Sequence, residues 1–193
     1  MPHPLQQLLS WFDRIGFRPA TTRHDVRGFR VSVDNPRRDI RTLDILERLD
    51  GALALIDQYT PHYARHMRRD FAGIVVRRFP CRGAFFPDSR LCLVELTFTV
   101  NRDFTLAQVA ATILHEGMHA RLHAVGVALT DDDRARQERF CRRGEIEFGR
   151  LVPGGSVVIA RAESSLEGSD EEVAPAIDWQ LAAERIREAD RGK

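Results

Sequence analysis

Two histidines and a glutamate in the middle of the chain have the spacing of a catalytic metal site. They are His115, Glu116 and His119, in the segment HEGMH. On a helix, residues four apart lie on one face, one turn apart, so both imidazoles can bind the same ion. Glu116 projects about 100° around the helix axis from His115, so its carboxylate can take a proton from a water molecule beside the ion. The pattern predicts Zn²⁺ as cofactor and Glu116 as a general base.

A catalytic zinc site of this kind needs a third protein ligand and keeps a fourth position open for water. His123 continues the series, but it lies about 12 Å along the axis from His115, so we expect it to have a supporting or packing role. The next predicted helix offers Glu138 and Glu145. In an antiparallel hairpin, the chain returns to the level of His119 close to Glu138, which favours Glu138 as the ligand and leaves Glu145 as the alternative.

A cysteine on the same helix is the remaining candidate ligand. Cys141 shares a face with the two glutamates, and its thiol would suit zinc. A thiolate is uncommon in catalytic sites of this arrangement, so we expect Cys141 to pack in the core. The chain has three cysteines, an odd and low number that indicates a reducing, cytoplasmic compartment and no disulfide framework.

The helices that must carry these residues have clear boundary signals. A helix is predicted over 105–125, with Thr105 and Gln108 matching a capping box and Gly126 ending it. A second helix is predicted over 130–152, before a Pro-Gly-Gly turn. The short connection between them predicts the antiparallel hairpin.

Apolar periodicity predicts further elements on both sides of this hairpin. The predicted helices are 4–15, 39–58 and 60–69. The predicted strands are 28–33, 71–79, 90–98 and, with a weaker pattern, 156–162.

Length and composition predict one globular domain. The chain has 193 residues, 43% of them hydrophobic, and a formal net charge of +1. We expect a single domain over 1–163, followed over 164–193 by an acidic linker and a C-terminal helix. The balanced charge does not indicate nucleic-acid binding, no segment is apolar enough for a membrane, and the first residues do not resemble a signal peptide.

The central third of the chain resembles a family of zinc peptidases. GAFFPDSRLCLVELTFTVNRDFTLAQVAATILHEGMHARLH, at 83–123, is similar to the glycine-aromatic turn, strand and HExxH helix of the zincins. HEGMHARLH, followed by EIEF at 145–148 and Leu-Val-Pro at 151–153, resembles the ImmA/IrrE-type metallopeptidases. The sequence departs from that family at Gly117, where leucine is usual, and in lacking a Glu-Ala-Asn signature on the second helix.

The resemblance implies an α+β, gluzincin-like fold, in which a small mixed sheet presents an edge strand to the HExxH helix and a glutamate-bearing helix follows. It implies one zinc ion bound by His115 and His119, Glu116 as the base, and peptide bonds as substrate. The resemblance also favours Glu145 somewhat as the third ligand, because the number of residues between His119 and Glu145 is nearer to the spacing of the second histidine and the glutamate ligand in that family. Residues 90–98 would then be the edge strand that pairs with an extended peptide.

These observations predict a zinc metallopeptidase that acts on a peptide or protein substrate. One alternative is a zinc-binding protein of the same fold that binds a partner without catalysis. Another is a metal-free interaction module in which HEGMH has no function. The sequence predicts neither the substrate's identity nor the oligomeric state.

Overall fold

The computed structural model describes residues 21–127, 133–175 and 178–191, so the helix predicted over 4–15 lies outside the described residues. Within these ranges the chain forms five strands and eight helices. The strands are β1 (Thr22–Val26), β2 (Phe29–Asp34), β3 (Gly73–Arg77), β4 (Gly83–Phe86) and β5 (Leu91–Glu95). The helices are α1 (Thr42–Tyr59), α2 (Pro61–Asp70), α3 (Leu96–Val100), α4 (Leu106–Ala124), α5 (Arg134–Leu151), α6 (Ser156–Leu166), α7 (Asp170–Val173) and α8 (Trp179–Ala189).

The strands form one mixed sheet in the order β1-β2-β3-β5-β4. The three central strands run parallel, whereas β1 and β4 pair antiparallel with their neighbours at the two edges. β1 and β2 are joined by Arg27 and Gly28, both with positive φ, as a two-residue type I′ hairpin turn requires. The predicted α+β class with a small mixed sheet is therefore confirmed.

The edge strand beside α4 is β4, and the prediction that residues 90–98 form the edge is wrong. β5 lies between β3 and β4, with Leu91 paired to Gly73 and Val94 paired to Gly83. β5 ends at Glu95, whose side chain accepts a hydrogen bond from the backbone N–H of Phe98 and so caps α3. β4 has four residues, too few for its apolar alternation to be recognised in the sequence.

The main core lies between one face of the sheet and helices α1, α2 and α4. α4 is buried along most of its length, which explains why so few of its residues are polar. Its start agrees with the prediction: Thr105 accepts a hydrogen bond from the backbone N–H of Gln108, and the Gln108 side chain accepts one from the backbone N–H of Thr105. No helix in the described ranges is long and apolar enough to cross a membrane.

The segment after α5 is helical where a strand was predicted over 156–162. α6 buries Val158 and Ala162, four residues apart, as one face of a helix requires. It packs closely on α5, because a Cβ on Gly149 would lie only 2.8 Å from Ile159 Cγ1. Pairing with α5 has thus overridden the strand preference of the Val-Val-Ile run.

The C-terminal helix α8 is tied to the sheet by an ion-pair network. Asp190, directly after α8, accepts hydrogen bonds from Arg37 Nη1 at 3.0 Å and Arg78 Nε at 2.9 Å. Arg78 also pairs with Glu95 at the end of β5. The domain boundary predicted at residue 163 stays a prediction, although these contacts connect the tail to the sheet.

Candidate metal centre

The two histidines of HEGMH lie one turn apart on α4 and face the same point. The Nε2 atoms of His115 and His119 are 3.1 Å apart. His115 is buried, with 6% of its surface exposed, and His119 is partly buried. Two imidazole nitrogens this close, on a helix fixed by its neighbours, form a preorganised pair of metal donors.

A carboxylate from α5 faces both imidazoles. Glu138 Oε2 lies 3.1 Å from Nε2 of His115, and Glu138 Oε1 lies 3.3 Å from Nε2 of His119. α5 runs antiparallel to α4, since His119 is opposite Glu138 while the earlier His115 also reaches the later Glu145. The structure therefore places Glu138 where the rise of the two helices predicted it, and its role as a ligand stays a prediction.

Glu145, the alternative third ligand, contacts the other side of the imidazole. Its Oε1 lies 2.6 Å from Nδ1 of His115 and also 2.6 Å from Nη1 of Arg142. Glu145 is 2% exposed. This contact orients the ring so that Nε2 of His115 points at His119 and Glu138, which is the usual arrangement for a histidine that binds a metal.

Cys141 adds a fourth donor to the same region. Donor atoms of His115, His119 and Cys141 all lie within 4.8 Å of one another, so these three side chains could hold a metal ion. Cys141 is completely buried. Sequence analysis predicted a packing role for Cys141, because a thiolate ligand is uncommon in this helix arrangement, and the burial of its side chain agrees with packing.

Protonation of these groups follows from burial and mutual contact. Burial lowers the pKa of His115, but hydrogen bonds with Glu138 and Glu145 outweigh it and raise the pKa to about 10. Burial raises the pKa of Glu138, but its hydrogen bonds with the two histidines hold it well below its usual range. Burial, and then the charge of Glu138, raises the pKa of the Cys141 thiol far above its ordinary value. The contacts with Glu138 and Glu145 therefore favour the protonated form of His115, and burial favours the neutral thiol of Cys141.

Glu116 lies beside the histidines and opposite the edge strand. It is 8% exposed, and burial raises its pKa, an effect that the two neighbouring histidines partly oppose. A Cβ on Gly83 of β4 would lie 3.0 Å from Glu116 Oε1 and 2.7 Å from Thr112 Cγ2. The absence of a side chain at Gly83 is therefore what allows the edge strand to approach this carboxylate.

The glycine at position 117 has a packing reason. A Cβ on Gly117 would lie 2.5 Å from Met67 Cγ on α2. α2 crosses α4 at this point, so a leucine there would collide with Met67. Glycine at this position therefore allows α2 to pack closely against α4.

A cavity of about 430 Å³ opens next to these residues. One side is formed by His115, Glu116 and Glu138, and its other walls include arginines from separate elements. Those arginines are Arg82, Arg134, Arg142 and Arg161. Sequence analysis did not identify them, because they are spread over 80 positions and no local pattern brings them together.

The side chains that lie around one point are those of His115, His119 and Glu138, with Glu116 beside them and Glu145 behind His115. His123 lies on another face of α4, where its ring is 5.9 Å from the ring of Phe85. This arrangement combines metal donors, a carboxylate held close to them and an adjoining cavity. Comparison of the chain with models of known protein families, with curated proteins and with solved structures found no match.

Proposed function

We propose that the protein is a zinc metallopeptidase that hydrolyses peptide bonds, with His115, His119 and Glu138 as zinc ligands and Glu116 as general base. The observation that carries the proposal is the position of Glu138, whose two oxygens lie 3.1 and 3.3 Å from the Nε2 atoms of the two histidines. Two imidazoles and one carboxylate form the ligand set of many zinc hydrolases.

The chemistry of the donors fits zinc. Imidazole and carboxylate groups both bind this ion, and the Nδ1 contact of His115 with Glu145 is the outer contact that such a ligand needs. A divalent cation would replace the proton on Nε2 of His115 that faces Glu138, whereas the Nδ1 proton would stay hydrogen-bonded to Glu145.

When bound, zinc would bring the pKa of a water molecule towards neutrality. The carboxylate of Glu116, beside the two histidines, would act as the base that accepts a proton at Oε1 or Oε2 and would return it to the leaving amine nitrogen. Burial raises its pKa from the ordinary value, which suits a group that must both take and return a proton near neutral pH.

The position of β4 supports an extended peptide as substrate. β4 is an edge strand of the sheet that the described residues form, so among them one side of its backbone has no strand partner. Gly83 brings this strand next to Glu116. A peptide that added to the sheet along β4 would pass in front of the carboxylate, with its backbone held by hydrogen bonds.

Cys141 supports a second candidate, a zinc-binding module that binds a partner without catalysis. If Cys141 joined His115, His119 and Glu138, four protein ligands would close the coordination sphere, as in structural zinc sites. Glu116 would then have no water to activate. Cobalt substitution separates the two candidates, since a thiolate–cobalt charge-transfer band would appear only if Cys141 binds the ion.

Zinc stoichiometry and peptide hydrolysis test the main proposal. We expect about one zinc per chain in the purified protein, hydrolysis of an unstructured protein substrate, and loss of both in His119→Ala. His123→Ala is the matched control, because it removes a histidine from the same helix outside the site. Zinc-free protein after incubation with zinc, or equal zinc in His119→Ala and wild type, would overturn the proposal.

A further inference from the structure

Positive charge exceeds negative charge around the candidate site. Four arginines and three glutamates line the cavity. Glu116 and Glu138 lie on its metal-facing side, whereas Glu145 lies behind His115. Glu138 contacts both histidines, and Glu145 contacts His115 and Arg142. The remaining wall is therefore cationic, and a divalent ion at the histidines would add to the excess.

Several arginines elsewhere in the described chain contact carboxylates. Arg27 pairs with Asp50, Arg37 with Asp39, Arg68 with Asp57 and Arg139 with Asp170. Among the described residues, Arg142 is the one cavity arginine with such a partner, Glu145.

The other three cavity arginines have different environments. Arg134 donates a hydrogen bond to the backbone oxygen of Pro175. The guanidinium of Arg82 lies over the rings of Phe104 and Phe98, at 4.5 and 5.2 Å from their centres, which holds it in place without neutralising it. Arg161 forms no hydrogen bond or ion pair within the described ranges.

Arg161, Arg82 and Arg142 come from three elements and lie close enough to affect one another. Desolvation lowers the pKa of Arg161 and Arg82, and the charge of Arg142 lowers both further, while Glu145 opposes the change. α6 supplies Arg161, α5 supplies Arg142, and the turn before β4 supplies Arg82. Guanidinium groups held together in a cleft have unmet capacity for an anion.

We propose that Arg161 and Arg82 form a subsite that binds a carboxylate of the substrate, so that the enzyme prefers acidic peptides. The inference rests on the proposed peptidase function, since the subsite adjoins Glu116 and β4 in the same cavity. Guanidinium forms paired, charge-assisted hydrogen bonds with carboxylate, which gives both affinity and orientation. The carboxylate comes either from an acidic side chain or from the C-terminus of the peptide.

Binding of three peptides to zinc-loaded Glu116→Gln protein tests the subsite without turnover. The first has an internal glutamate and blocked ends, the second has glutamine at that position, and the third has no acidic side chain but a free C-terminal carboxylate. We expect the first or the third to bind on the order of tenfold more tightly than the glutamine peptide. Which of the two binds identifies the source of the carboxylate.

Arg161→Gln in the same background should remove this preference while leaving the glutamine peptide's affinity unchanged. Arg161 retains contact with solvent, so its replacement is compatible with folding. Arg143→Gln, at an exposed position of α5, is the charge-matched control and should retain the preference. Equal affinity for all three peptides, or the same loss in Arg161→Gln and Arg143→Gln, would overturn the inference.

The same titrations on metal-free protein separate this inference from the proposed function. If the protein binds no zinc but still prefers peptides with a carboxylate, and Arg161→Gln removes that preference, the subsite is supported and the peptidase proposal is overturned. Peptide hydrolysis that is indifferent to acidic residues and to Arg161→Gln would support the peptidase and overturn the subsite.

Discussion

Nδ1 of His115 lies 2.6 Å from Oε1 of Glu145, and this contact determines which nitrogen of the ring is available to a metal. Because Glu145 occupies the Nδ1 side, only Nε2 can face the donors on α4 and α5. The two glutamates of α5 therefore have different positions: Glu138 lies on the metal-facing side of the ring and Glu145 on the opposite side.

The first prediction concerns these two glutamates. Glu138→Gln should abolish stoichiometric zinc binding, because it replaces the proposed third ligand by a neutral amide. Glu145→Gln should reduce zinc affinity about 10- to 100-fold without abolishing binding, as expected for an outer contact of a liganding histidine. Competition with a chromophoric chelator measures both constants. The reverse order of severity would make Glu145 the ligand and contradict the assignment.

The second prediction concerns the close approach of the edge strand. Gly83→Ala would place a Cβ 2.7 Å from Thr112 Cγ2 and 3.0 Å from Glu116 Oε1. We expect the strand or the carboxylate to move, with a loss of about 1–3 kcal/mol of unfolding free energy and a larger relative loss of kcat. Urea denaturation and steady-state kinetics measure the two effects.

Thr112→Ser provides the control for this change. Serine lacks Cγ2 but keeps the hydroxyl that donates to the Gln108 backbone oxygen. Combined with Gly83→Ala, it should restore part of the lost stability and activity. If the double variant is no better than Gly83→Ala alone, the contact with Thr112 Cγ2 is not the cause.

The third prediction explains why glycine occupies position 117. Gly117→Leu should destabilise the fold by more than about 1 kcal/mol, because even its Cβ would overlap Met67. Met67→Ala in the same chain should recover part of the loss by making room for the new side chain. Thermal unfolding of wild type and the two variants checks this. An equally stable Gly117→Leu protein would contradict the helix crossing described above.

The fourth prediction concerns pH and the C-terminal helix. Burial acts to raise the pKa of Asp190, but the hydrogen bonds and charges of Arg78 and Arg37 hold it below its ordinary value. In the unfolded chain an aspartate titrates near pH ~4. The stabilisation from Asp190 is therefore present above that pH and is lost as the pH falls through the lower pKa of the folded state.

We accordingly expect Asp190→Asn to reduce the unfolding free energy by about 1 kcal/mol at pH 7 and by less as the pH falls below about 4. Urea denaturation between pH 7 and pH 3 measures the difference. Asp88→Asn, at an exposed turn, serves as the control and should leave the profile unchanged. A constant difference across this range would show that the charge of Asp190 is not involved.

The parts of the site that the sequence predicted depend on local or helical geometry. Thr105 and Gln108 form the expected capping box. Both ends of α4 and the end of α5 lie close to the predicted positions, whereas α5 begins at Arg134 and not at residue 130 as predicted. The rise per residue of two antiparallel helices was enough to place Glu138 opposite His119.

The parts that the sequence did not predict depend on contacts between distant segments. β4 is four residues long and is a strand because it pairs with β5. Residues 156–162 favour a strand by composition, yet they form a helix because Gly149 allows α6 to pack against α5. The cavity arginines are brought together only by the fold, so no spacing in the sequence could have identified them.

Hydrolysis of a peptide by wild type and Glu116→Gln at equal zinc content tests the central claim most directly. Glutamine has nearly the same shape as glutamate but cannot accept the proton of the attacking water. We predict that the variant retains one zinc per chain and loses at least about 10²-fold in kcat, the scale of general base catalysis. Hydrolysis at an undiminished rate in the zinc-loaded variant, or none in wild type, would contradict the account.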